Sequence, residues 1–209
     1  MERIGEGNFR WLPEFMREHN IPAHGVLHIG GHKGEEVPTY IECGFAHIVV
    51  VEPDPKLAAH IVQKYGNSPG YFVVDQCAAV SADSTASAQI PFYVADRSFG
   101  SSTDKNVMLD NIIAEILVPA APITYLQMKY FHNVLVIDTQ GTEEEILKSA
   151  FLNNLDLVIV ETGDPGTGVP ACDFDRAIEI MDGNGFELSE RWRHGHHPYS
   201  DSLFTRSNQ

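Results

Sequence analysis

Cysteine is scarce in this chain, and its spacing excludes two classes of protein. Cys43, Cys77 and Cys172 stand far apart among 209 residues, and no two of them form a CxxC pair. This spacing fits neither a disulfide-rich scaffold nor a cysteine-based zinc site. We therefore expect a protein of a reducing compartment, the cytoplasm.

Basic residues are also few. Lys and Arg number 14 against 29 Asp and Glu, which gives a formal net charge of −15 at neutral pH. Because such a surface repels phosphate groups, we expect no nucleic-acid partner and no anionic membrane partner.

Long apolar runs are absent from the sequence as well. No run approaches the roughly 20 residues that a membrane-spanning helix needs. The first residues also lack the basic-then-apolar order of a signal peptide. We expect a monomer or small homo-oligomer without a membrane anchor.

The sequence does contain enough apolar residues for a sizeable core. Hydrophobic residues make up 43% of the chain and charged residues 21%, which is typical of a globular protein. The length fits a single domain, residues 1–209. Within it we predict a covering helix in residues 1–23 and a core in residues 24–206.

Short apolar segments alternate with amphipathic helical patterns along this core. Most of these segments lack polar alternation, which is typical of strands covered on both faces. Five are predicted as parallel strands: 26–29, 47–51, 71–74, 134–137 and 157–160. Two more, 186–191 and 202–206, are close enough for an antiparallel hairpin. The pattern predicts a Rossmann-like three-layer α/β/α fold with a mostly parallel seven-stranded sheet that includes this hairpin.

One region interrupts the alternation. Gln89–Ala95 is predicted as an extra strand, and Pro91 within it favours the edge of a sheet. After the polar loop Asp96–Asp104 we predict a helix near Lys105–Leu117.

A glycine turn and an acid follow the first two strands. Gly30-Gly31-His32-Lys33-Gly34 comes after Ile29, and glycines there let backbone N–H groups approach a ligand. Glu52, at the end of the next strand, can accept both hydroxyls of a ribose. The turn reads GGxxG instead of GxGxxG, and no Arg or Lys cluster is placed for a pyrophosphate. S-adenosylmethionine, with one ribose and no phosphate, fits these features better than a dinucleotide.

These features, together with others in the same order, resemble the FkbM-type family of class I S-adenosylmethionine-dependent methyltransferases. The family pattern of an aspartate, an apolar residue and GANxG corresponds to His28–Gly34, and its second-strand EP to Glu52-Pro53. Its serine-rich loop corresponds to Gly100–Ser102, and its later IDxEGxE signature to Ile137–Glu143. The resemblance covers about residues 24–206.

The sequence departs from this pattern at three positions. His28 replaces the aspartate before the turn, His32 replaces the asparagine, and Gln140 replaces the later glutamate. A neutral imidazole at position 28 can form a hydrogen bond to the amino-acid end of the cofactor but cannot pair with its ammonium group.

The resemblance implies which residues form the site. The residues expected to bind the cofactor are His28, Gly30, Gly31, His32, Gly34, Glu52, Pro53, Asp75, Gln76, Cys77 and Asp138. The residues expected to contact the substrate, within or near the loops 98–102 and 194–201, are Ser101, Ser102, Gln140, Glu161, His196 and His197.

Asp138 is the predicted catalytic residue because it ends the fourth core strand, at the edge where ligands bind. It can accept the proton of the acceptor or hold the methionine end of the cofactor. Alternatively, it caps the helix that begins near Thr142 or forms a hydrogen bond to the turn. With Glu161 it can also bind a divalent metal, or the two acids simply line a polar cleft. We predict no metal site.

The predicted function is methyl transfer from S-adenosylmethionine to a hydroxyl of a sugar or small metabolite. The expected partner is therefore a small-molecule or glycan acceptor. One alternative is a catalytically impaired cofactor-binding domain of the same fold, which His28 and Gln140 would explain. The other is an NAD-dependent oxidoreductase, which the terminal hairpin and the missing GxGxxG oppose.

Overall fold

The computed structural model describes residues 2–5, 8–83, 89–97, 100–106, 108, 110–169 and 171–207. Its strands are β1 (Glu2–Gly5), β2 (Gly25–Ile29), β3 (His47–Val51), β4 (Tyr71–Asp75), β5 (Ala78–Val80), β6 (Gln89–Ala95), β7 (Ile112–Pro122), β8 (Val134–Ile137), β9 (Leu157–Gly163), β10 (Cys172–Asp173), β11 (Phe186–His194) and β12 (Tyr199–Arg206). Its helices are α1 (Leu12–Glu18), α2 (Val37–Cys43), α3 (Pro55–Tyr65), α4 (Ile123–Lys129), α5 (Glu143–Ser149) and α6 (Phe174–Asp182).

The main sheet follows the order β1-β11-β12-β9-β8-β2-β3-β4, and the short β10 pairs with β9. Strands β9, β8, β2, β3 and β4 run parallel to one another, whereas β12 is antiparallel to both of its neighbours. This arrangement confirms the predicted mostly parallel seven-stranded sheet with its terminal hairpin. Strands β1 and β10 add to that sheet.

Helices cover both faces of the sheet, which explains why its central strands are apolar throughout. All residues of β2 and β8 are buried. One face packs against α1, α2 and α3 through side chains such as Leu12, Tyr40 and Ile61. The other packs against α4, α5 and α6, where Leu147 and Met181 are fully buried. The predicted three-layer architecture is confirmed.

The first 23 residues contribute both a helix and a strand. The helix is confined to Leu12–Glu18, with Pro13 in its first turn, and β1 pairs with β11. Trp11 stacks on Trp192 of β11, with ring centroids 5.2 Å apart. Stacking of this kind fastens the N-terminal segment to the terminal hairpin.

A second sheet, in the order β5-β7-β6, accompanies the main one. Its strand β6 confirms the extra strand predicted for Gln89–Ala95, and it lies at the edge of this sheet, as Pro91 indicated. The longest described helix, α3, has 11 residues, and no described helix is long and apolar enough to cross a membrane.

The helix predicted near Lys105–Leu117 is wrong, because the second half of that segment begins β7. Ile112–Pro122 pairs antiparallel with β6 over most of its length. Four of its first seven residues are β-branched, which favours an extended chain. The apolar spacing alone fits either structure, and pairing with β6 decides between them. Residues 107 and 109 of this segment lie outside the described residues.

Asn133 ties together the starts of three strands at the opposite, amino edge of the sheet. Its side-chain oxygen accepts a hydrogen bond from the Gly25 N–H at 3.1 Å. Its side-chain nitrogen donates to the Pro22 carbonyl and to the Asp156 carboxylate, each at 2.7 Å. The residue is only 5% exposed, so water cannot readily replace these partners.

We expect Asn133→Ala to lower the free energy of unfolding by about 2–4 kcal/mol, because it leaves buried donors and acceptors without partners. Urea denaturation measures this loss. Asn153→Ala, at an exposed position in the loop before β9, is the matched control and should change stability by less than about 0.5 kcal/mol. Equal stabilities for the two variants would contradict the role of Asn133.

Candidate active site

A cavity of about 310 Å³ opens at the carboxyl edge of the parallel strands. The ends of β2, β3 and β8 reach it through Gly30, Glu52 and Asp138. Its volume is at the lower end of the range for small-molecule pockets, and its position is where open α/β sheets bind ligands.

The lining combines apolar side chains with acids. The apolar part includes Leu57, Cys77 and Phe92, and the acids are Glu35, Glu36, Glu52 and Asp138. No lysine or arginine among the described residues lines the cavity. A lining that has acids and no basic group suits a ligand with positive charge better than a phosphate-bearing one.

The backbone fixes Glu52 in the cavity wall. Its Oε2 accepts a hydrogen bond from the His32 N–H, and its Oε1 accepts one from the Asp54 N–H, both at 2.8 Å. Each carboxylate oxygen can accept one further hydrogen bond, so both hydroxyls of a ribose can still be received. Burial raises the pKa of Glu52 to about 8, against the opposite effect of the two backbone donors.

Packing within the protein accounts for the glycines of the turn. A Cβ on Gly30, where φ is +90°, would lie 1.6 Å from the Asp138 carbonyl oxygen. A Cβ on Gly31 would lie 1.9 Å from a methyl carbon of Val50. Gly30 lines the cavity, whereas Gly31 and Gly34 are buried outside its lining. Glycine is therefore required here mainly because the end of β2 lies very close to its neighbouring strands, and less because a ligand approaches the backbone.

Gln140 joins two of the predicted site acids. Its side-chain nitrogen donates to Asp138 Oδ1 at 2.8 Å and to Glu161 Oε2 at 2.9 Å. Its backbone has a φ of +59°, which is uncommon for a residue other than glycine. Thr142 is the residue that precedes α5, and no side chain caps that helix. Asp138 therefore does not cap α5, but it does form a hydrogen bond to the turn through the Gln140 side chain.

Glu143, the first residue of α5, is fully buried and organises the loop that carries Gln140. Its Oε1 accepts hydrogen bonds from the Thr139 N–H at 2.7 Å and from the Gly141 N–H at 3.1 Å. Backbone N–H groups on both sides of Gln140 therefore donate to the buried carboxyl group of Glu143, which fixes the conformation of this loop.

Acids from several elements surround this loop, and burial raises the pKa of most of them. The pKa of Glu36 rises to about 8 and that of Glu143 to about 7. Burial also raises the pKa of Asp138 and Glu161, and repulsion between neighbouring carboxylates adds to the effect. On β11, His194 Nε2 lies 2.9 Å from Asp201 Oδ2, and this hydrogen bond raises the pKa of the imidazole.

Three of these acids are close enough to share a cation. Oxygens of Asp138, Glu143 and Glu161 lie within 4.8 Å of one another. Protein donors already reach all three, since Gln140 donates to the first and third and the backbone donates to the second. We therefore assign no metal role to them.

The cavity brings together about half of the residues that the sequence predicted for the site. Those that line it are Gly30, His32, Glu52, Pro53, Cys77, Ser101, Asp138 and Gln140. Those that lie outside its lining are His28, Gly31, Gly34, Asp75, Gln76, Ser102, Glu161, His196 and His197.

His28 and Asp75 have partners inside the protein. His28 is 2% exposed, with Nδ1 3.0 Å from the Tyr40 hydroxyl, and burial lowers the pKa of its imidazole to about 4. The His28 imidazole is therefore neutral at physiological pH, which agrees with the neutral imidazole considered in the sequence analysis. Asp75 accepts hydrogen bonds from the Lys129 ammonium at 2.8 Å and the Tyr130 hydroxyl at 2.7 Å.

The two loops predicted to hold the acceptor differ in how they meet the cavity. Ser101 lines it, whereas Ser102 is buried and accepts a hydrogen bond from the Asp104 N–H. Ser98 lies outside the described residues. His196 and His197 are exposed on the turn between β11 and β12, and the histidine that faces the acids is His194.

Sequence reasoning missed several residues of the site, including Glu36 and Phe92. Glu36 could have been found, because it lies two residues after the glycine turn at the start of α2. Phe92 could not, because its place in the cavity wall depends on how the second sheet packs against the first.

Comparison with known families separates the methyltransferase interpretation from the NAD-dependent oxidoreductase. The model of the FkbM methyltransferase domain matches residues 28–188, most of the chain. This chain belongs to the FkbM methyltransferase family. The resemblance seen in the sequence is thereby confirmed, with S-adenosylmethionine as the cofactor. A comparison with curated protein sequences gave no match.

Solved structures share the fold of this FkbM domain at low sequence identity. The methyltransferase-like protein YhhF from Escherichia coli has a TM-score of 0.54 and 12% identity, over 98% of this chain and 88% of that one. A proposed RNA methyltransferase from Pyrococcus horikoshii has a TM-score of 0.54 and 13% identity, over 95% and 83%. Magnesium protoporphyrin IX methyltransferase from Synechocystis, solved with bound S-adenosylmethionine, has a TM-score of 0.51 and 11% identity, over 94% and 77%.

The residues of the cavity fit this cofactor. S-adenosylmethionine carries a sulfonium and an ammonium group, which suit a pocket lined by four acids without lysine or arginine among the described residues. Its adenine is flat and largely apolar, which suits Leu57, Cys77 and Phe92.

The buried acids also predict how stability depends on pH. Glu36 and Glu52 keep their protons up to about pH 8 in the folded chain, whereas both ionise near their ordinary pKa of 4.5 in the unfolded chain. Between about pH 4.5 and 8 the folded state therefore binds more protons than the unfolded state, and the free energy of unfolding falls as the pH rises. Urea denaturation of the ligand-free protein should show this fall.

Glu36→Gln should flatten this dependence by up to about 1.4 kcal/mol per pH unit, because it removes one of the retained protons. Glu18→Gln, exposed at the end of α1, is the matched control and should leave the slope unchanged. The same slope in both variants would show that Glu36 does not hold a buried proton.

Proposed function

We propose that this FkbM-family methyltransferase transfers the methyl group to a hydroxyl oxygen of a sugar or another small metabolite. The observation that carries the proposal is the position of Asp138, an acid at the end of β8 that lines the cavity and accepts a hydrogen bond from Gln140. A hydroxyl becomes a competent nucleophile when a nearby base takes its proton.

Separate parts of the cavity would hold the separate parts of the cofactor. Glu52 would accept the ribose hydroxyls on the lone pairs that His32 and Asp54 leave unused. Leu57 and Phe92 would pack against the adenine. When bound, S-adenosylmethionine supplies an electrophilic methyl group.

Asp138 would act on the acceptor. The hydroxyl oxygen would form a bond to the methyl carbon as the bond from that carbon to sulfur breaks, and the hydroxyl proton would pass to the Asp138 carboxylate. Burial raises the pKa of Asp138, which makes the carboxylate a stronger base than an exposed aspartate.

The polar part of the lining supports a hydroxyl-bearing acceptor. Asn8, Ser101 and Thr103 line the cavity and offer amide and hydroxyl groups of the kind that bind sugars. The net charge of −15 disfavours an anionic acceptor. The exposed His196 and His197 would contact the acceptor only beyond the mouth of the cavity.

We expect Glu52→Ala to weaken the binding of S-adenosylhomocysteine by about tenfold or more, because both ribose hydroxyls lose the carboxyl group that would bind them. Isothermal titration calorimetry measures the change. Glu42→Ala, an exposed position on α2, is the matched control and should bind like the parent protein. Equal affinities for both variants would remove Glu52 from the ribose site.

We expect Asp138→Asn to lower turnover by about 10²- to 10⁴-fold while S-adenosylhomocysteine still binds, because an amide cannot take the acceptor's proton. Transfer of a labelled methyl group to a panel of sugars and hydroxylated metabolites measures turnover, and Asp182→Asn, exposed at the end of α6, is the control. An unchanged rate would exclude Asp138 as the base. Cofactor binding by the parent protein without transfer to any acceptor would favour the impaired alternative.

A further inference from the structure

We propose that Asp138 and Glu161 share one proton as a pair, and that the side-chain amide of Gln140 clamps this pair at the edge of the cavity. Gln140 is then a positioning residue that determines the pH range in which the pair binds a second proton. The use of that second proton in catalysis rests on the proposed function, whereas the pair itself does not.

The clamp follows from the geometry of a single nitrogen atom. The Gln140 amide nitrogen has two hydrogens, and it lies 2.8 Å from an oxygen of Asp138 and 2.9 Å from an oxygen of Glu161. One hydrogen is therefore available for each acid. The left-handed backbone at Gln140, held on both sides by the Glu143 carboxylate, fixes the amide where it reaches both.

The two acids also lie close to each other. Oxygens of Asp138 and Glu161 lie within 4.8 Å of each other, and each acid affects the ionisation of the other. Two ionised carboxylates have only acceptors and repel each other, so a proton shared between them stabilises the two groups at this separation. As in other close carboxylate pairs, that proton belongs to the pair and not to one residue.

The surroundings favour retention of this proton. Burial and neighbouring acids raise the pKa of both groups, and that of Glu161 lies well above its usual value. His194 opposes this effect at Asp138. The titratable groups that face the pair are Glu36 and Tyr40 at α2, Glu52 after β3, Glu143 of α5, His194 of β11, and Tyr199 and Asp201 of β12.

The pair gives a physical reason for the departure from the family pattern at position 140. A glutamate there would add a third acceptor and a third negative charge beside Asp138 and Glu161. The glutamine has the same shape, supplies two donors and adds no charge. With one shared proton the pair carries one negative charge, which remains available for the proton of a hydroxyl.

Infrared spectroscopy tests the pair without any need for activity. At pH 7 the parent protein should show the C=O stretch of a protonated carboxylic acid that Glu161→Gln lacks in a difference spectrum. Gln140→Glu should strengthen the protonated signal, because a third carboxylate raises the proton affinity of the cluster. Gln63→Glu, exposed on α3, makes the same change of charge and should leave the signal unchanged.

The pH dependence of methyl transfer tests the positioning role. The pair must carry a negative charge to act as a base, so activity falls on the acidic side as the second proton binds. Gln140→Glu should move this acidic limb to higher pH by about one unit or more, whereas Gln63→Glu should not move it. Gln140→Gly suits the left-handed backbone and removes the amide, so it should also alter the limb without a loss of folding.

The outcomes separate this inference from the proposed function. The proposed proton-sharing pair would be overturned if Glu161→Gln lost no protonated carboxyl signal relative to the parent protein. It would also be overturned if Gln140→Glu and Gln63→Glu gave identical spectra and pH profiles. The expected signal in a protein that transfers no methyl group would support the pair and count against the proposed function. Should Gln140→Gly fail to fold by circular dichroism, the isosteric Gln140→Glu and the parent spectrum still decide the question.

Discussion

The close approach of β2 to its two neighbours is the constraint on which the site depends. At the end of β2 the Gly30 and Gly31 N–H groups both bond to the Val51 carbonyl, and the Asp138 N–H bonds to the Ile29 carbonyl. A side chain on Gly30 would collide with the Asp138 backbone. Because these strands end at one level, Glu52 and Asp138 face the same cavity although 86 residues of sequence separate them. The glycines thus contribute to the cavity mainly because they let the ends of these strands lie close together.

Much of this architecture could be predicted because it follows from local pattern. The parallel strands are continuous apolar runs, the crossovers are amphipathic, and the terminal segments are close enough to pair with each other. The residues that end those strands were therefore placed correctly at the carboxyl edge, among them Glu52 and Asp138. The strand at β7 escaped prediction because its isoleucines fit one helix face as well as a strand, and only the partner β6 distinguishes the two.

The parts of the site that could not be predicted depend on contacts between distant segments. Asp201 meets His194 across the hairpin, and Phe92 reaches the cavity from a separate sheet. The role of Gln140 also required the structure, because the sequence shows an amide near an acid but not the second acid 21 positions later. The sequence predicts substrate contacts for His196 and His197, whereas the histidine of this segment that has an acidic partner is His194. The histidines in the sequence locate this loop, but they do not show which of their side chains face the acids.

The second sheet divides the cavity into two kinds of wall. The wall that carries Glu52 and Asp138 belongs to the central sheet, where any change of register would disturb the whole core. Phe92 belongs to a three-stranded sheet that forms no strand pairing with the central one within the described residues. Exchanges and insertions in that small sheet can therefore reshape one wall of the cavity and leave the edge that carries Glu52 and Asp138 intact. A fold built in this way can acquire a different pocket shape by altering one peripheral layer, while its central sheet stays constant.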